Sequence, residues 1–439
     1  MVQVLVRHPF FQIQHMQHHK TRLLVVGSYT DSMGMGRVMR HLATELEDRY
    51  EIHFLALGCP EKKVFDRNGI RYYPVAIPSI RCAHYAALMI RQLRPAFTLL
   101  SIEPIWLPNY ISTLSPLRSE TRLLAYLPLE GRFQDHAIAP WIGCLDCAVV
   151  FTQYAASEIR RIGRAYFGAE MPLRTAVIPH GVDRNVFFPM AGSFKENQSP
   201  EARKQAKQGA FPGRPELHEG FMVLNPNLTY ERKRLDLTLR GFARFAQNKP
   251  ADVRLCLHHS RYDADARRQL EQIIREENIA DRVVFSPLDG PESGPLPIEQ
   301  LNALYNACEV GINTAMGEGW GLTSFEHAAT GAAQIVPGHT TFLENWQHKA
   351  ETIEVAETFR AMYPPFEMDV VSVESVADCL ERLYRSEDYR LDMAARAHAH
   401  ACAPQFEWRA IADQWHTLFE EIQQTHLNRQ TSTQPYEYA

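Results

Sequence analysis

Two glutamates eight positions apart, Glu318 and Glu326, stand in the stretch GEGWGLTSFEHAATGAAQIVP, residues 317–337. Gly317, Gly319 and Gly321 alternate with Glu318 and Trp320, after a strand-like EVGINTA (309–315) and before a helix-like segment stopped by Gly331. Glycines at a helix N-terminus let backbone N–H groups approach a ligand closely. In open α/β sheets ligands lodge beyond the carboxyl ends of the strands, so this stretch favours a phosphate-bearing ligand. Glu326 also has a purely structural reading, because Thr323-x-x-Glu326 fits a capping box. A second charged group, Glu231-Arg232-Lys233-Arg234, follows another strand-like run and opens a helix. Cations there can clamp a phosphate rather than line a solvated turn.

The elements that must position these residues follow a βα rhythm. TRLLVVGSY (21–29) reads as a buried strand, VMRHLATELEDRY (38–50) has helical spacing, and EIHFLAL (51–57) is a strand again. Further strands are expected at FTLLSI (97–102), RLLAYLP (122–128), CAVVF (147–151) and TAVIPHG (175–181). Residues 190–220 are polar and rich in Gly, Pro and charge, and read as a linker or excursion. A second series then runs FMVLNPN (221–227), VRLCLHH (253–259), RVVFSPL (282–288), EVGINTA and AQIVP (333–337), with helical segments between. The fold class is therefore α/β, with two Rossmann-like doubly wound parallel-sheet domains facing a cleft. The expected division is a leader (1–20), an N-terminal domain (21–189), the linker, a C-terminal domain (221–404), a long amphipathic helix (405–424) and a disordered tail (425–439).

The E-x7-E spacing, with GWGL inside it and G-x-x-x-I-V-P after it, resembles the donor-site motif of GT-B glycosyltransferases of family GT4. SMGMGRV (32–38) resembles that family's Gly-Gly loop, VIPHGVDRNVFFP (177–189) its domain junction, and NPNLTYERKRLDL (225–237) its donor-phosphate loop. The likeness implies a retaining, metal-independent transfer of a hexose-type sugar from a nucleotide-diphosphate sugar to a hydroxyl acceptor. The nucleotide sugar is a co-substrate, and no further cofactor is expected. Glu326 would then accept hydrogen bonds from both ribose hydroxyls and Glu318 from hydroxyls of the transferred sugar, as ionised carboxylates can. The N–H groups of Gly319, Trp320, Gly321, Leu322 and Thr323 would hold sugar and phosphate. Lys233, with Arg232, would be the phosphate clamp, and Gly34 and Gly36 would meet the diphosphate from the N-terminal side. The base would lie near strand ends carrying His258 and Leu288. The C-terminal helix would cross back to the N-terminal domain through Phe406, Trp408, Trp415 and Phe419. The chain departs from the family at Asn227, where an Arg is usual, at Met33, where a Gly is usual, and at Glu130, where many relatives carry a His. Glu130 would orient the acceptor or place a charge near the anomeric carbon.

Bulk properties narrow the alternatives. With 439 residues and 22% charged residues, the chain reads as an ordinary two-domain globular protein. No apolar run approaches the ~18–20 residues of a spanning helix, and the first twenty residues lack the features of a signal peptide. Eight scattered cysteines suit a reducing cytoplasm, and Cys144-x-x-Cys147 has no second pair to complete a metal site. His15, His18 and His19 have no matching acid or Cys, and His180 reads as a hinge or packing residue. Residues 1–195 hold 22 Lys and Arg against 15 Asp and Glu, and the remainder 24 against 36. The basic first half, with RRIGRAYFG (160–168), permits a peripheral contact with the inner membrane face and an anionic or lipid-linked acceptor; assembly of a surface polysaccharide is implied by the family resemblance alone. No nucleic-acid partner is expected. The competing readings are a sugar phosphorylase on the same architecture and a non-catalytic nucleotide-sugar-binding protein.

Overall fold

The computed structural model describes residues 20–29, 34–76, 82–171, 173–258, 264–286, 298–360 and 365–432. The N-terminal sheet is built from β1 (Thr21–Ser28), β2 (Tyr50–Leu57), β3 (Phe65–Arg67), β4 (Ile70–Val75), β5 (Phe97–Ser101), β6 (Arg122–Leu127), β7 (Cys147–Val150) and β8 (Arg174–Val177). Their order is β3-β4-β2-β1-β5-β6-β7-β8, parallel except for the β3–β4 edge pair. Leu23 to Val26 are buried on both faces of β1, as a central strand covered by helices on each side must be.

The C-terminal sheet comprises β9 (Met222–Asn225), β10 (Arg254–Leu257), β11 (Val283–Phe285), β12 (Val310–Ile312), β13 (Ala333–Pro337) and β14 (Glu351–Ile353), in the order β11-β10-β9-β12-β13-β14. Both sheets are thus doubly wound, reversing direction beside their first strand. An antiparallel hairpin, β15 (Val355–Arg360) and β16 (Glu367–Val371), follows. It reaches the N-terminal domain through a bridge between Phe366 and Phe133.

The crossover helix is present and longer than expected. It spans Trp408–Ser432, so residues 425–432, expected as tail, continue it. Trp415 packs on Tyr126 and Phe419 on Phe97 and Tyr50, while Arg49 and Asp413 pair at 2.6 Å. Phe406 stays with the C-terminal domain, against Phe325 and Trp320.

Residues 190–220 are not a loose linker. They form helices Phe194–Asn197 and Pro200–Ala210, each capped by a serine hydroxyl, Ser193 and Ser199. Arg203, buried beneath them, donates to the carbonyls of Asn306 (2.8 Å) and Gly331 (3.1 Å). Two helix C-termini thereby satisfy one guanidinium, a match that composition does not reveal.

Candidate active site

The crevice lies where both sheets reverse, beyond β1 and β5 on one side and β9 and β12 on the other. After β9 the chain runs through Asn227 to a 3-10 turn, Glu231–Lys233, and Arg234 adopts a left-handed φ of 48° that redirects it into helix Leu235–Ala246. Thr314, beyond β12, locks this turn by donating to the Arg234 carbonyl (2.8 Å), and the Met316 N–H donates to the Arg232 carbonyl (2.8 Å). The cation turn and the glutamate loop are therefore one unit.

Their side chains meet. Lys233 Nζ pairs with Glu318 Oε1, and Arg232 lies 3.4 Å from Glu318 Oε2. Arg232 also reaches the N-terminal domain, where Nη2 is 2.8 Å from Glu130 Oε1. Gly317 is pressed on the Glu130 backbone so closely that a Cβ would collide with its carbonyl. Glu326 is 6% exposed at its side chain, paired with Arg37 of helix Gly34–Leu46, and Tyr305 Oη donates to it at 3.4 Å. A Cβ on Gly34 would come within 2.9 Å of Leu322, which shows how tightly the two domains approach. The N–H groups of Gly319 to Thr323 have no hydrogen-bond partner among the described residues, at the start of helix Leu322–Ala329.

Burial and charge set the protonation of the cluster. Burial pushes the Glu318 carboxyl up, but Lys233 and Arg232 outweigh it and leave it below the usual range. Burial raises Glu130 to about 7, with Arg232 opposing and Glu103 and Glu318 adding to the rise. Desolvation raises Glu103, two residues beyond β5, against the pull of Arg232, although part of the residue still reaches water. Burial likewise raises Glu326 in spite of Arg37, and lowers Lys233 in spite of Glu318. Among the described residues no group of three His, Cys, Asp or Glu side chains could hold a metal ion.

A mannosylfructose-phosphate synthase of Agrobacterium fabrum is 25% identical over 251 residues, covering 56% of this chain and 47% of that protein. The chain thus spans about half the length of the curated relative it matches. No protein-family model matches. The sucrose-phosphate synthase of Thermosynechococcus elongatus superposes with a TM-score of 0.69 over 92% of this chain and all of that one, at 16% identity. Anabaena Alr3699/HepE, solved in complex with UDP and glucose, gives 0.65 over 91% of this chain and 100% of its own, at 13% identity. The fold is GT-B.

Within this GT-B frame each described residue singled out from the sequence has a defined setting, and the capping-box reading alone fails. Glu326 forms no capping box: Gly321, at φ 90°, precedes the helix, no side chain caps it, and the carboxylate turns to Arg37. The Trp320 ring is buried, stacked on Phe325 at 4.6 Å. Asn227 is buried and its Nδ2 donates to Asn225 Oδ1 (2.9 Å), so the neutral amide is engaged within its own loop. Gly36 is buried inside the first helix. His258 ends beyond β10 with its Nδ1 buried and unpartnered, and burial lowers it to about 4, so it is a neutral ring. Leu288, Met33 and His259 lie outside the described residues. His180 is packed among Phe151, Tyr126 and Trp320 with both ring nitrogens unpartnered. Cys144 and Cys147 are free thiols.

Three site residues escaped sequence reasoning. Arg37 directly follows the Gly34-Met35-Gly36 turn, and a cation there was a readable signal. Glu103 is the first charge after β5 at the reversal point of the sheet, a position that fold logic marks once strand order is known. Tyr305 sits in the last turn of helix Ile298–Ala307 with nothing local to single it out.

Proposed function

We propose that this protein is a glycosyltransferase that moves a sugar from a nucleotide-diphosphate sugar to a hydroxyl of a second sugar. One observation carries the reading: Arg232, Lys233 and Glu318 converge at the reversal point of the C-terminal sheet, beside a helix whose first N–H groups have no partner among the described residues. Two cations at a helix N-terminus suit a diphosphate, and an ionised carboxylate beside them suits sugar hydroxyls.

In this reading Lys233 and Arg232 turn from Glu318 and Glu130 to the phosphates and stabilise the charge that develops on the departing nucleotide. Glu318, released, accepts from hydroxyls of the transferred sugar. Glu326 exchanges Arg37 for the ribose hydroxyls. Glu130 and Glu103 line the acceptor side. The retaining course and independence of metal belong to the proposal through the E-x7-E motif, and the two cations supply the charge that a metal would otherwise bring. HepE's complex with UDP and glucose and the sugar-phosphate synthases among the relatives support a nucleotide-sugar donor and a sugar acceptor. No helix among the described residues is long and apolar enough to cross a membrane.

A thermal-shift screen against UDP-, GDP- and ADP-sugars tests this. A ligand at 100 times its Kd adds about 2.7 kcal/mol when it binds only the folded state. Glu326→Ala should lose the shift, while Lys233→Ala should mainly slow transfer. Absence of any nucleotide effect would sink the reading.

A further inference from the structure

The crevice holds an unbalanced set of charges. Arg232 and Lys233 face Glu318 from the glutamate loop, Arg232 also faces Glu130 from the N-terminal domain, and the charge of Glu103, on the neighbouring loop, acts on Glu130. β5 and β6 are adjacent parallel strands, so Glu103 and Glu130 emerge side by side from one sheet edge. Arg232 bridges the domains, donating to the Gly317 carbonyl as well as facing Glu130. Other charges nearby are already engaged: Arg132 faces Glu367 at 3.9 Å, and His339, on the far side of Glu318, lies 3.0 Å from the Ala315 carbonyl and 3.9 Å from Asp369.

A diphosphate adds two negative charges and needs the same two cations. Glu318 and Glu130, both largely buried, then lose their counter-charge together with the charge of Glu103 acting on Glu130, and like charges so placed cannot all stay ionised. We propose that a nucleotide-diphosphate sugar enters the crevice together with a proton, taken from solvent by the Glu103–Glu130 pair and held on the acceptor side of the site. This rests on the donor reading above. Without ligand Glu318 is held ionised by Lys233 and Arg232, whereas Glu130 is already raised to about 7, so Glu130 needs the smallest further rise to hold the proton near neutrality. A neutral Glu130 gains an O–H donor beside the bound donor sugar. Glu103 acts through Glu130 and is a positioning residue: its charge makes the proton on its neighbour more favourable.

The test is calorimetry of nucleotide-sugar binding to the full chain near pH 8, in buffers of different ionisation heat. UDP-glucose, GDP-mannose and ADP-glucose are the probes, because a diphosphate esterified at both ends has no proton of its own to exchange near neutrality. The ligand that binds should take up about one proton, and its affinity should fall up to ~10-fold per pH unit above neutrality. Glu103→Gln and Glu130→Gln should each reduce the uptake, and the double variant should abolish it while still binding. Glu103 is solvent-exposed, so its variant is the safer of the two to fold. Binding with no proton uptake would overturn the inference and leave the donor reading standing. Uptake unchanged in the double variant would overturn the assignment to this pair. No binding by any probe would remove both.

Discussion

Glu130→Gln should make the empty protein more stable above neutral pH, although it breaks a 2.8 Å ion pair with Arg232. The carboxyl sits at about 7 in the folded chain against an ordinary value of 4.5. A group whose folded value is raised binds its proton more tightly in the native state. Its ionisation therefore opposes folding, and the penalty grows from pH 4.5 to pH 7 and is complete above that. At about 1.4 kcal/mol per pH unit the gap amounts to ~3 kcal/mol, and a neutral glutamine escapes it. Against this stands the lost attraction of Arg232, which keeps Glu318 at 3.4 Å and the Gly317 carbonyl as partners. A net gain of about 1–3 kcal/mol near pH 8 is expected. Urea unfolding of wild type and variant from pH 5 to 8 reads it directly. The wild type should lose stability relative to the variant as pH rises through this window. Parallel profiles, or a variant less stable at pH 8, would refute the charge argument for the cluster.

Other substitutions probe the frame around it. Gly317→Ala places a methyl group against the Glu130 carbonyl and should force the domains apart, lowering kcat/KM at least ~10-fold with little change in circular dichroism. Trp415→Ala, removing a fully buried ring from the crossover helix, should cost about 3–5 kcal/mol in urea unfolding. Arg203→Met leaves carbonyls at two helix ends without their donor and should destabilise by about 3 kcal/mol or more, whereas a loose linker in 190–220 would tolerate it.

Periodicity made the two parallel sheets legible, because buried strands such as Leu23–Val26 and Met222–Asn225 read as apolar runs with helical spacing between them. The glutamate loop was legible for a different reason: its glycines have no use in a simple capped helix. What stayed hidden depends on distance in sequence. Glu326 and Arg37 are 289 residues apart, and only the approach of the two domains brings them together. The capping-box reading of Glu326 was locally sound and lost to that tertiary partner. Residues 190–220 misled through composition, since Arg203 and Ser199 serve as a buried staple and a helix cap rather than as solvated polar residues.

Arg232 holds a position that neither domain could give it alone. It faces Glu130 on one side of the crevice and Glu318 and the Gly317 carbonyl on the other, so it ties the domains together. Arg37 does the same with Glu326 some way along the crevice. Both ties use groups that a nucleotide sugar would claim: phosphates for Arg232 and ribose hydroxyls for Glu326. A ligand that bound one domain only would weaken closure by drawing these groups away. Closure can survive binding only if the ligand itself touches both walls, replacing each lost interdomain pair by a contact of its own. The geometry therefore favours a long ligand with charge at its middle and hydroxyls at both ends over a simple phosphate, which would occupy Arg232 and leave Glu326 on Arg37.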